Sequence, residues 1–254
     1  MAEKKGVLSV MMPAYNEGAT IAQAIDRVLA RPEVGELIVV DDASTDDTWK
    51  ILTEIAAREP GVRAVRQTHN QGKGAAIRRA IKELRRPYAI VQDADLEVDP
   101  QEYESLLEPL LDGRADAVFG SRNFPVTDFR SLVFTLGNRG LTLATNVIFW
   151  GRVKDMETCY KLLPSALWQS LPLRAMRFEF EPEVTAQLMR RRSRIVNVPI
   201  RYDPRTAEQG KKIGLRDGWQ ALTYLVRLRF SKTADSPQSD PKAAPAGFED
   251  GVRH

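Results

Sequence analysis

Short apolar runs alternating with segments of helical period fill the first half of the chain, and this pattern restricts it to βαβ units with a largely parallel sheet. The runs are Val7–Met12, Glu36–Asp42, Val62–Val65, Tyr88–Asp93 and Asp116–Arg122. Pro13 ends the first, because proline cannot donate to a ladder. Between the runs, Ile21, Ile25, Val28 and Leu29 fall at i, i+4, i+7 and i+8, the stripe of a half-buried helix. Ser44 to Asp47 can cap a helix carrying Trp49, Leu52 and Ala56. Gly72 and Gly74 open another through Ala76, Ile77, Ala80, Ile81 and Leu84, and Pro100 suits the first turn of Gln101–Leu111. Beyond residue 122 the alternation fades into an amphipathic segment at 131–150, a loop at Asp155–Tyr160, a helix near 180–190, the strand Ile195–Ile200 and a last helix near 215–229. With 254 residues, 43% of them hydrophobic, the chain can fill one large core. The expected fold class is α/β: a single Rossmann-like, mostly parallel sheet flanked by helices, with a C-terminal extension.

The formal charge of +3 is too small for wholesale nucleic-acid binding, and it is unevenly placed. Residues 1–173 carry 21 basic and 24 acidic groups, residues 174–230 carry 13 and 6, and residues 231–254 carry 3 and 4, so the basic excess sits in the C-terminal third. One cysteine, Cys159, forbids an internal disulfide, and two histidines cannot build a His-rich zinc site. The six-residue apolar run near the N-terminus lacks the features of a signal peptide, so the chain reads as cytoplasmic. The most apolar stretch, Leu132–Trp150, contains Asn138, Arg139 and Asn146, which argues against a membrane span. Residues 231–254, with Pro237, Pro241 and Pro245 among Ala, Ser and Asp, are expected to form a disordered tail.

Ligands of open α/β sheets bind beyond the carboxyl ends of the strands. Three polar clusters stand at such ends here: Pro13-Ala14-Tyr15-Asn16-Glu17, Asp41-Asp42-Ala43-Ser44 and Asp93-Ala94-Asp95-Leu96-Glu97. Each alone is ordinary turn chemistry; together they define one crevice. Asp93, Asp95 and Glu97 place alternate acids on one side of an extended chain with no adjacent basic residue, a set suited to Mg²⁺ or Mn²⁺. Gly72-Lys73-Gly74 lacks both phosphate-loop patterns and reads either as a tight turn or as a lysine facing a nucleotide.

These clusters, with Asn70-Gln71-Gly72-Lys73-Gly74, Gly120-Ser121-Arg122 and Asp155-Met156-Glu157-Thr158-Cys159-Tyr160-Lys161, resemble family 2 glycosyltransferases of the GT-A fold. Phe178-Glu179-Phe180-Glu181-Pro182-Glu183, Tyr202-Asp203-Pro204-Arg205-Thr206 and Gly210-Lys211-Lys212-Ile213 are similar to the dolichyl- or polyprenyl-phosphate sugar synthase branch, dolichol-phosphate mannose synthases among them. The resemblance runs from about residue 7 to 230. It implies a transferase domain over 1–230, with a nucleotide-sugar half at about 7–122 and an acceptor half at about 123–230. It further implies that Pro13, Ala14, Tyr15, Asn16, Glu17, Val40, Asp42, Lys73, Asp93, Ala94, Asp95, Arg205 and Lys211 contact the nucleotide sugar, GDP-mannose or UDP-glucose. Asp93, Asp95 and Glu97 would hold the metal, Arg122 and one of Arg130 or Arg139 the acceptor phosphate, and Asp95, Arg122 and Arg205 would carry the catalysis. The implied reaction is an inverting hexose transfer to polyprenyl or dolichyl phosphate, at the inner face of the cell membrane.

Two alternatives stay open on the residues. A hydroxyl acceptor would need a base, for which Glu157 or Glu179 could serve. An inactive nucleotide-binding protein at a membrane surface would keep the crevice without its chemistry. Segment 131–150 fits either an interfacial helix or a core helix, and Arg190, Arg191, Arg192 and Arg194 either an anionic-lipid patch or a solvated face.

Overall fold

The computed structural model describes residues 4–124, 129–204 and 215–230, with the backbone alone at 129, 130 and 215–221. Seven strands form one sheet: β1 (Leu8–Ala14), β2 (Val34–Asp41), β3 (Val62–Arg66), β4 (Tyr88–Val91), β5 (Ala117–Arg122), β6 (Lys161–Pro164) and β7 (Ile195–Ile200), in the order β3-β2-β1-β4-β6-β5-β7. The helices are α1 (Ile21–Leu29), α2 (Thr48–Arg58), α3 (Lys73–Ile81), α4 (Tyr103–Leu111), α5 (Phe129–Phe149), α6 (Ser165–Ser170), α7 (Phe180–Arg190) and α8 (Leu215–Phe230). Every pairing is parallel except those of β6, which runs antiparallel between β4 and β5.

The apolar runs become strands buried on both faces. Leu8, Val10, Met11, Leu37, Ile38, Val39, Ala89 and Ile90 have no exposed surface, as a sheet covered by helices on both sides demands. Register then gathers the polar clusters. Ala14 opposite Asp41 brings residues 15–17 beside 42–44, and Met11 opposite Val91 sets 92–95 on the other flank of β1.

β6 and the short α6 are not foreseen by the periodicity. A four-residue run that opens on a lysine and closes on a proline carries little strand signal, yet Lys161 is 1% exposed. Because β6 is antiparallel, its N-terminal end lies where β4 and β5 finish. The segment before β6 therefore reaches the crevice from the far side, and this single reversal brings Asp155 to Arg122 at the end of β5 and Glu157 into the same cleft as Asp93 and Asp95.

Candidate active site

A cleft of about 370 Å³ opens at these strand ends, lined by residues of all three clusters and by segments 157–159 and 177–181. Its first rim is held by backbone. Asn16 has a left-handed φ of 54°, its N–H donates to Ser44 Oγ (3.0 Å) and its Oδ1 accepts from Thr45 N–H (2.9 Å). Pro13, Ala14, Tyr15 and Glu17 line the cleft, whereas Asn16 serves as the clamp behind them. Val40 is fully buried within β2 and is not part of the lining. Asp42 accepts from Gln67 Nε2 (2.7 Å) and the N–H groups of Gln71 (2.8 Å) and Gly72 (2.7 Å), so it shapes the 70–72 loop at the cleft edge.

The acids after β4 are anchored from below. Buried Gln92 accepts from the hydroxyls of Tyr103 (2.7 Å) and Tyr160 (2.6 Å), and its Nε2 donates to Asp93 C=O (3.1 Å). The expectation that these acids lack an adjacent cation is corrected: Lys73 Nζ lies 2.8 Å from Asp93 Oδ2 and 2.8 Å from Glu181 Oε1. Lys73 lines the cleft as a bridge between two acids. Burial alone would lower its pKa, but Asp93 and Glu181 hold it well above the ordinary lysine value.

The extended-chain geometry is also corrected. Leu96 adopts a left-handed φ of 64° between Asp95 and Glu97, and Glu97 accepts from the Tyr202 hydroxyl (3.1 Å). Among the described residues no three His, Cys, Asp or Glu side chains stand together as a ready metal cage. The electrostatics still favour a hard cation here. Asp95 is pushed up to about 7 by its burial and by the charges of Asp93 and Glu97, crowding that a divalent ion on these oxygens would relieve.

Arg122 stands at the end of β5. Its Nε donates to Asp155 Oδ2 (2.7 Å) and its Nη2 to Oδ1 (2.9 Å), while its guanidinium lies 4.9 Å from the Phe124 ring centroid and 5.2 Å from that of Tyr202. Burial would raise Asp155, but Arg122 holds it below the usual carboxylate value. Beneath the cleft, Lys161 Nζ donates to the carbonyls of Met156 (2.9 Å) and Thr158 (2.5 Å), pinning the chain on both sides of Glu157. Glu157 is pushed up to about 7 by burial and by Glu181, and Lys161 is lowered to about 8 by burial. Glu157 Oε1 and Glu181 Oε2 are enclosed and accept no hydrogen bond among the described residues.

Residues 9–164 match the glycosyl transferase family 2 description, more than half of the chain. The protein belongs to glycosyl transferase family 2. A low-salt glycan biosynthesis hexosyltransferase, Agl6, of Haloferax volcanii is 30% identical over 86% of this chain and 53% of its own length. A UDP-N-acetylglucosamine–dolichyl-phosphate N-acetylglucosaminyltransferase of Methanococcus voltae is 26% identical over 92% of this chain and its whole length. The dolichol-phosphate mannosyltransferase of Pyrococcus furiosus is 26% identical over 87% and 63%. This chain thus spans about half of the first relative, all of the second and under two thirds of the third. Glucosyl-3-phosphoglycerate synthase of Mycobacterium tuberculosis, solved with Mn²⁺, UDP and glucosyl-3-phosphoglycerate, superposes with a TM-score of 0.66 at 26% identity, covering 87% of this chain and 79% of that one. The sheet is that of a GT-A glycosyltransferase.

Beyond β5, α5 is turned inside out. Thr135, Asn138, Thr142 and Thr145 are buried, whereas Leu136 (57%), Leu143 (64%), Val147 (67%) and Trp150 (88%), which follows the last turn, are exposed. Asn138 Nδ2 donates to Asp155 Oδ1 (3.2 Å) and Thr142 accepts from Met156 N–H (3.1 Å), so the polar face of α5 holds the Arg122 partner. Phe134 reaches the cleft. Arg139 is exposed and does not line it, and the Arg130 side chain, Arg205 and Lys211 lie outside the described residues, as does the 231–254 tail.

Of the arginine run, Arg191 donates to Ser170 and Arg194 pairs with Asp116, so the run is partly spent on local structure. Glu179 stands at the start of α7 outside the lining, unlike Glu157. Glu181, Tyr202, Phe134 and Arg177 line the cleft without having been singled out one by one. The Phe178–Glu183 motif was the available signal for Glu181. No helix among the described residues is long and apolar enough to cross a membrane.

Proposed function

We propose that this transferase moves a hexose, mannose or glucose, from a GDP- or UDP-sugar to the phosphate of a polyprenyl or dolichyl lipid, with inversion at the anomeric carbon. The observation that carries this reading is the placement of Arg122, fixed by Asp155 between the β4 acids and a helix whose outward face is apolar. The guanidinium keeps its Nη1 edge outside the Asp155 pair, in a position to hold an anionic acceptor. The names of several relatives point the same way.

A phosphate monoester is already nucleophilic near neutral pH. Its oxygen attacks the anomeric carbon, the bond from that carbon to the nucleoside diphosphate breaks, and the electron pair leaves with the diphosphate. A divalent cation, Mg²⁺ or Mn²⁺, on Asp93 and Asp95, with Glu97 nearby, supplies neutralisation for the departing diphosphate when bound. Pro13, Ala14, Tyr15, Glu17 and Asp42 hold base and ribose, Lys73 keeps Asp93 in place, Ala94 lines the donor site beside it, and Arg205 and Lys211 are assigned to the pyrophosphate. The transferase domain is assigned to 1–230 and residues 231–254 to a tail. The apolar stripe of α5, with Arg139 beside it, fits a peripheral seat on the inner face of the cell membrane, where the lipid acceptor resides.

A second reading, a hydroxyl acceptor, is favoured by one observation: Glu157, near 7 and lining the cleft, has the pKa of a general base. Incubation with a panel of radiolabelled GDP- and UDP-sugars and short polyprenyl phosphates, followed by solvent extraction, tests the first reading. Label in the organic phase is the expected result; label confined to water-soluble glycosides would transfer the assignment to the second.

A further inference from the structure

Glu183 lies on α7, outside the cleft, and is 1% exposed. Its carboxylate accepts from Arg174 N–H (3.0 and 2.9 Å), from Ala175 N–H (2.8 Å) and from the Tyr224 hydroxyl on α8 (2.8 Å). The segment it gathers is pressed against the start of α3. Met176 C=O accepts from Ala75 N–H (3.0 Å) and Arg174 C=O from Arg78 Nη1 (3.1 Å). A Cβ on Gly72 would lie 2.5 Å from Met176 O, and one on Gly74 would lie 2.6 Å from Ala175 O, so only glycine fits on either side of Lys73. Arg177 and Phe178, next along the segment, line the cleft, and Glu181, the partner of Lys73, sits two residues before Glu183 on the same turn of α7.

The seam that Tyr224 crosses is not filled. A cavity of about 180 Å³ lies there between Pro172, Gln187, Arg227 and Leu228. Arg190 Nη1 donates to Leu228 C=O (3.0 Å) further along the same seam, but the hydroxyl bond to Glu183 is the tie that ends on the carboxylate gathering segment 174–175.

We propose that Tyr224 and Glu183 form a positioning pair that transmits the seating of α8 to the donor side of the cleft, through segment 174–177 and the first turn of α3. Neither residue touches substrate. The pair holds the wall against which Lys73, and hence Asp93, is oriented. The donor part of this inference rests on the proposed function; the mechanical part does not.

Tyr224→Phe removes only the hydroxyl, while Leu228→Ala loosens the same seam without touching Glu183. By hydrogen exchange, the amides of Ala75, Arg174 and Ala175 should open about tenfold more readily in Tyr224→Phe and stay within about twofold of wild type in Leu228→Ala. By calorimetry with Mn²⁺, whichever of UDP or GDP binds the wild type should bind Tyr224→Phe about fivefold more weakly. In turnover, the donor KM should rise while kcat stays within about twofold. Unchanged exchange in Tyr224→Phe, or an equal rise in both variants, overturns the pair as a positioning device. If neither nucleotide binds the wild type, the functional reading fails, and the exchange result alone decides the coupling.

Discussion

The ammonium of Lys73 lies 2.8 Å from Asp93 Oδ2, so the first acid of the β4 cluster is already paired with a cation that also faces Glu181. Removing one partner from such a buried group leaves uncompensated charge, at a cost of about 3–5 kcal/mol. Lys73→Met should therefore lower the melting temperature by the order of 10 °C in a domain of this size. Mn²⁺ should restore part of the loss, because a cation on Asp93 replaces part of the missing charge. Scanning fluorimetry with and without Mn²⁺ checks this; a variant as stable as wild type without metal would show that Lys73 is not what balances these acids.

Asp95 occupies the opposite position, raised to about 7 by burial and like-charge neighbours. Asp95→Ala should relieve that crowding and leave metal-free stability equal or higher. Loss of charge stabilisation on the leaving diphosphate should cost about a hundredfold or more in kcat. Turnover within about tenfold of wild type at saturating metal would remove Asp95 from the metal set.

Glu157 gives a pH signature in stability. Its pKa is near 7 in the folded protein against an ordinary value of 4.5, so between these limits the folded state binds more protons than the unfolded state. Stability from this group therefore falls as pH rises from about 4.5 to about 7 and stays reduced above. Glu157→Gln removes the penalty. Its stabilisation over wild type should be small near pH 5 and of the order of 2 kcal/mol near pH 8, read by urea denaturation. A difference that does not change with pH would mean that the carboxyl is not held protonated.

How much of this was legible depends on how each residue is recruited. Periodicity exposes β1, β2, β4 and β5, because buried parallel strands are written as continuous apolar runs, and the polar clusters after β1, β2 and β4 follow from strand ends alone. The Lys73 contact to Asp93 was not legible, since twenty residues separate them and only the packing of α3 beneath the cleft brings them together. β6 was hidden by its own lysine, and with it the entry of Glu157 from an antiparallel direction. Asn16 read as a ligand residue because its neighbours are; its left-handed backbone turns it into a loop clamp. The inversion of α5 was half visible: its apolar residues were evident, but that Thr135, Asn138 and Thr142 would face inward depends on Asp155 and Met156 presenting polar groups there.

That inversion leads to a test of the membrane seat. Leu143, Val147 and Trp150 lie on one exposed stripe, and because Leu143 and Val147 keep about two thirds of their surface exposed, replacing them by Glu disturbs little buried area. Wild type should cosediment with anionic vesicles at low salt and lose part of this binding near 0.5 M salt, where the Debye length falls to roughly 4–5 Å. Leu143→Glu with Val147→Glu should abolish cosedimentation while the melting temperature is retained. Vesicle binding untouched by the double variant would move the lipid contact to another face.

The last test asks where the nucleophile comes from. If the acceptor is a lipid phosphate, it arrives charged and must be held by a cation rather than deprotonated. Arg122 is the described arginine that reaches the cleft with its orientation fixed, by a bidentate pair to Asp155 that lysine cannot reproduce. Arg122→Lys should raise the KM for polyprenyl phosphate about tenfold or more and leave donor affinity within about twofold. Asp155→Asn should move the same constant in the same direction, because it frees the guanidinium without removing its charge. Glu157→Gln should then cost little in kcat, since no proton has to be taken from the acceptor. The reverse pattern, a collapse of kcat in Glu157→Gln with acceptor KM indifferent to Arg122→Lys, would identify Glu157 as a general base acting on a hydroxyl. The Arg122 pattern is expected because an anion held beside a fixed guanidinium supplies the nucleophile that the hydroxyl reading must generate by proton transfer.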